Sequence, residues 1–141
     1  MRSRVVVALA AIAALSACGS ESSDGGGSGD APASAKTSLT IVVTPDEGAD
    51  PKTYKLTCDP AGGDHPQPQQ ACDAIATAGA SVFEPVPSDT TCTTVFGGPQ
   101  KATVTGIYEG KDVDASFSRE NGCEIERWEK LGTTVFDVPL Q

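Results

Sequence analysis

Histidine occurs once in this chain, at His65, and cations are scarce: 10 Lys and Arg stand against 19 Asp and Glu. Each scarcity removes a class of function. A net charge of −9 repels nucleic acid and an anionic membrane surface, so neither is expected as a partner. A lone histidine has no obvious companions for a catalytic or zinc-binding cluster, and the cysteines are better used elsewhere. No Gly-x-Ser-x-Gly elbow and no phosphate-cradling glycine loop is present. Acidic residues and serines are plentiful, but no spacing marks a pair as catalytic. We therefore expect no enzyme, no metal and no cofactor. Long apolar runs are missing too. The apolar stretch 5–15 falls well short of the roughly 20 residues that cross a bilayer.

What the chain does have is five cysteines. Cys18 stands apart. It follows a basic start (Arg2, Arg4), the apolar stretch and small residues Ser16 and Ala17, the layout of a secretory leader. Leu15-Ser16-Ala17-Cys18 resembles a bacterial lipobox, which implies a signal peptide over 1–17 and a lipid on Cys18. Acyl chains contribute about 0.8 kcal/mol per buried CH₂, so several on one cysteine anchor firmly. Residues 18–38 then form a tether rich in Ser, Gly, Asp and Ala, with a reach on the order of 25 Å. The expected location is outside the cytoplasm, on a membrane lipid anchor or released from it.

Residues 39–141 suffice for one small domain. Residues 39–44 are β-branched and alternating, which predicts a strand, and Pro45-Asp46-Glu47-Gly48 predicts a turn. Tyr54, Leu56 and Cys58 alternate with polar residues in a second strand. Residues 59–68 are dense in Pro and Gly and read as loop. A helix is expected over 69–78, with Ala71, Cys72, Ile75 and Ala76 on one face and Gly79 as its stop. Strands at 102–108 and 111–117 flank a tight Glu109-Gly110 turn. Ile125 and Trp128 suggest a short helix closed by Gly132, and 133–138 a last strand. Trp128 and Phe136 read as core. The sum is an α+β fold: a small two-layer domain with a five-stranded antiparallel sheet, two short helices and two disulfides. Four cysteines allow three pairings. Cys58–Cys72, closing a strand-to-helix loop, and Cys92–Cys123 are the pairings we favour. Each is worth about 3 to 4 kcal/mol by loop entropy.

Several motifs resemble the Streptomyces-type subtilisin inhibitor family. Cys58-Asp59-Pro60 with Gly63-Asp64-His65-Pro66 is similar to its first-cysteine motif, and Ala71-Cys72 follows at the expected distance. Val104-Thr105-Gly106-Ile107-Tyr108-Glu109-Gly110 is similar to its central hairpin, with Tyr108 replacing Trp. Phe117-Ser118, Asn121-Gly122-Cys123 and Gly132-Thr133-Thr134-Val135-Phe136 are similar to its closing segments. The resemblance implies a serine protease inhibitor with a loop bound like a substrate. That loop is Thr91, Cys92, Thr93, Thr94, Val95 and Phe96, with Thr94 as P1 and the scissile bond at Thr94–Val95. It also implies that Asn121 braces the loop, that His65 is structural, and that the protein forms a homodimer through its sheet. The β-branched residues fit independently, because they favour the extended form a protease binds. A loop already extended loses little entropy on binding.

Two departures bear on the target. Thr94 offers neither charge nor ring, which suits a broad subtilisin-like or a small elastase-like pocket. Phe96-Gly97-Gly98-Pro99 is one residue longer than the family's usual aromatic-Asp-Pro continuation, and the two glycines are expected to loosen the loop. They favour the alternative reading, a non-inhibitory surface lipoprotein that keeps the fold as a protein-binding module.

Overall fold

The computed structural model describes residues 37–139. The leader, Cys18 and most of the tether lie outside them. Alternation builds the central strand: β1 (Thr37–Thr44) buries Leu39, Ile41 and Val43 and turns Ser38, Thr40 and Val42 to the other face. Thr37 and Ser38, read as the end of the tether, already pair in β1. β2 (Lys52–Cys58) runs antiparallel to it, with Leu39 opposite Leu56. β4 (Lys101–Tyr108) pairs with the other edge of β1, and β5 (Lys111–Phe117) with β4. Glu109 and Gly110 join the last two with φ of 48° and 79°, the geometry of a tight hairpin turn.

The fifth strand is not the expected one. β3 is Gly62–Gly63, inside the predicted loop, and it pairs antiparallel with β2 to give the order β3-β2-β1-β4-β5. Residues 133–138 are no strand. Helix α2 (Gly122–Phe136) breaks at Gly132, whose φ of 57° and ψ of −158° are non-helical, and then resumes for one turn. That turn buries both Val135 and Phe136. Adjacent residues of a strand point to opposite faces, so a strand here would have taken one of the two out of the core. Packing overrides the β-branched propensity.

Helix α1 (Pro68–Ala78) starts on Pro68, whose missing N–H costs nothing in a first turn. Ala71 and Ile75 are buried as expected, but Ala76 is exposed, and Ala74 and Ala78 pack on the core instead. A short 3-10 turn, Ala80–Phe83, follows and buries Val82 and Phe83. Both helices cover one face of the sheet around a single core centred on Trp128 and Phe136, whose ring centroids lie 4.3 Å apart with the planes tilted by 39°.

Two charged or polar side chains inside this core, Arg127 and His65, are tied down, whereas Trp128 Nε1 is buried without a hydrogen-bond partner among the described residues. Arg127 is buried over the Phe117 ring, with its Cζ 4.3 Å from the centroid. It donates to Val82 O, Ser116 O and Glu124 Oε2 at 2.9 to 3.0 Å. His65 is also buried: Nε2 lies 2.9 Å from Val135 O, and Nδ1 accepts from the Gln67 amide at 3.1 Å. Those partners fix the neutral tautomer with its proton on Nε2, and both ring nitrogens are engaged in holding the chain.

Candidate functional site

Between the 3-10 turn and β4 the chain runs from Glu84 to Gln100 without regular structure. Thr91, Thr93, Thr94, Val95 and Phe96 are all exposed, and Cys92 is half-buried. Val95 and Phe96, at 58% and 66% exposure, are the large apolar side chains left in water among the described residues. Core demand does not explain them, because the sheet and helices close without them.

The segment is nevertheless fixed. Cys92 bonds to Cys123 with Cα atoms 5.4 Å apart, and Cys58 to Cys72 with Cα atoms 5.9 Å apart, so both expected disulfides are present. Two backbone hydrogen bonds join the same region. The Gly122 amide donates to Thr93 O at 3.0 Å, and the Gly97 amide donates to Arg119 O at 2.7 Å. Thr94, Val95 and Phe96 lie between these ties and make no backbone hydrogen bond among the described residues. The result is a span of three residues held at both ends by 119–123.

Asn121 sits beside these ties. Oδ1 accepts from the Glu124 amide at 3.0 Å, which makes Asn121 the N-cap of α2. The loop is met by the backbone of the next residue, Gly122. The cap therefore acts on the loop indirectly, by fixing where the helix begins.

The glycines after Phe96 lie in close contact with their neighbours. Gly97 packs on Ile125 and Arg119, and Gly98, with φ of 132°, lies against Gln100. Gln100 and Arg119 are both buried beneath the return to β4, and Arg119 Nη1 lies 3.4 Å from Gln100 Oε1. Beside Phe96 a hollow of about 360 Å³ opens between Pro99 and the Asp46-Glu47 turn. Lys101 and Glu120 pair at its rim at 3.5 Å; both are well exposed, so the pair adds little stability. Among the described residues no three His, Cys, Asp or Glu side chains come together as a metal site.

Sequence reading missed Gly122, Arg119, Gln100 and Ile125 as parts of this site; Gly97 was singled out, but not as a tie to Arg119. The one available signal was Gly122, a residue without a side chain between the helix cap and a disulfide cysteine.

The exposed segment is thus tied to the scaffold by a disulfide and two backbone hydrogen bonds. Residues 33–121 match the family described as subtilisin inhibitor-like. The chain is 33% identical over 96 residues to subtilisin inhibitor-like protein 1 of Streptomyces cacaoi, covering 62% of this chain and 86% of the relative. It is 32% identical over 135 residues to a subtilase-type protease inhibitor of Streptomyces fradiae, covering 87% of this chain and 92% of the relative. Among solved structures it is similar to Streptomyces caespitosus sermetstatin, determined in complex with Bacillus licheniformis subtilisin. The TM-score is 0.43 and the identity 23%, over 70% of this chain and 94% of that one. Both curated relatives are named as inhibitors or inhibitor-like, and neither as an enzyme. With the family match spanning most of the sequence and these relatives covered nearly end to end, the chain belongs to the subtilisin inhibitor-like family.

Proposed function

We propose that this protein inhibits subtilisin-type serine proteases by presenting Thr91, Cys92, Thr93, Thr94, Val95 and Phe96 as a substrate-like loop, with the scissile bond at Thr94–Val95. The observation that carries the reading is the exposed span Thr94–Phe96, held at both ends by Gly122 and Gly97 and stapled by Cys92–Cys123. A free backbone in that span leaves its N–H and C=O groups available to a protease cleft. The fixed ends keep the entropy loss on binding small. The names of the relatives support the target class.

Titrating subtilisin, an elastase and trypsin with the purified domain tests this. The expected result is tight 1:1 inhibition of subtilisin with slow cleavage after Thr94. Rapid cleavage there with no inhibition rejects it.

The inhibitor is further proposed to be lipid-anchored through Cys18, on the strength of Leu15-Ser16-Ala17-Cys18 behind an apolar leader. Cys18→Ser should then move the protein from the membrane fraction to the medium; an unchanged distribution refutes the anchor. A homodimer through the outer face of the sheet completes the reading. One row across four strands, Lys55-Thr40-Thr105-Asp114, carries opposite charges at its two ends. A two-fold axis along the strands would set Lys55 of one copy against Asp114 of the other.

A further inference from the structure

Neither Gly97 nor Gly122 has φ in the left-handed region, so chain geometry does not require glycine at either position. Room does. A Cβ on Gly122 would overlap Thr93 Oγ1 and touch Thr93 Cβ at 3.4 Å. On Gly97 it would lie 2.8 Å from both Cγ1 and Cδ1 of Ile125 and 3.3 Å from Arg119 Cβ. Both glycines donate the amides that tie the exposed span, one on each side of Thr94–Val95.

We propose that Gly97 and Gly122 are positioning residues, a pair of side-chain-free contacts that seat the loop flush on 119–125 and make it an inhibitor rather than a substrate. The inference rests on the reading that Thr94–Val95 is the bond attacked. On acylation the Thr94 carbonyl carbon bonds to the protease serine oxygen, and Val95 leaves as a free amine. The Gly97 tie to Arg119 keeps that amine within reach. Its attack on the acyl carbon re-forms the amide, and the proton it sheds returns to the serine oxygen. Loosening either seat lets the amine drift and water take its place, so hydrolysis overtakes religation.

The test is a pair of mutant cycles read with subtilisin. Gly122→Ala and Gly97→Ala should each weaken inhibition about tenfold or more and speed cleavage at Thr94–Val95, while the unfolding midpoint moves little. Compensation should be specific. Added to Thr93→Ala, Gly122→Ala should cost nothing further; added to Ile125→Ala, Gly97→Ala should cost much less than in the parent, with only the 3.3 Å approach to Arg119 Cβ remaining. The crossed combinations should stay impaired. Alanine variants that inhibit and resist cleavage like the parent overturn the proposal, as does compensation that ignores the pairing. A parent chain that inhibits no protease sinks the proposed function. The seats are then judged by amide exchange in the free protein: slow exchange at Gly97 and Gly122 upholds them, and fast exchange at both overturns them.

Discussion

Thr94 projects into water from a segment with no hydrogen bond of its own, so its side chain answers only to a partner. Replacing it alters recognition without touching the scaffold. Thr94→Lys should raise affinity for trypsin by about tenfold or more, because a buried acidic pocket rewards a cation and a threonine offers none. Inhibition assays against trypsin and subtilisin would show the shift; an unchanged preference means that another residue fills the primary pocket. The extended character of this loop was legible in its run of threonines. Gly122 carried only a weak signal, a missing side chain beside Cys123, because its role depends on Thr93 arriving from far along the chain. The family resemblance marked Asn121 as a brace, and the structure shows its side chain capping α2. The resemblance made His65 structural, and its two ring nitrogens are spent on Val135 O and the Gln67 amide.

Among the elements, the joint between β2 and the end of α2 has a pH signature. Tyr54 donates to Asp137 Oδ2 at 2.9 Å, and Asp137 ends the helix with φ of 50°. Burial raises the Tyr54 hydroxyl above its usual pKa of 10.0, helped by the bond to Asp137 and by that carboxylate's charge. Tyr108 is raised too, by burial and then by Glu109. A group whose folded pKa is raised contributes stability that is fully present below its unfolded pKa and lost as pH climbs through the folded one. Stability should therefore hold to about pH 9 and fall above about pH 10, the ordinary tyrosine range. Urea melts across that interval should show a shallower fall for Tyr54→Phe; equal slopes would remove Tyr54 as a cause. This joint was hidden in the sequence, where 133–138 reads as a strand. Alternation identified β1 and the β4–β5 hairpin, whose partners are near in sequence or marked by a turn. It failed where Gly132 redirects the chain and where Gly62–Gly63 gains a partner only through tertiary placement.

At the scale of the molecule, one face of the sheet is packed under helices and the other is open and rich in threonine, with Thr40, Thr53, Thr57, Thr103 and Thr105 across its strands. If two copies pair over that face, Lys55→Glu should shift sedimentation equilibrium towards monomer, and adding Asp114→Lys should restore the dimer. Indifference to both changes would place the interface elsewhere. The helix-covered face was foreseeable from apolar alternation. The strand order was not, because β1 pairs with β4 across more than half of the domain and no turn announces it.

The disulfide at Cys92 has a consequence for what a cut means. Thr94–Val95 lies between Cys92 and Cys123 along the chain, so a nick there divides the backbone but not the molecule. The two pieces stay joined by sulfur, and the injured protein travels as a single species until a reductant reaches it. In oxidising surroundings the break is a state that can be mended. In reducing surroundings the same break parts the chain into fragments held only by packing. The redox condition of its compartment thus decides whether a proteolytic event is reversible.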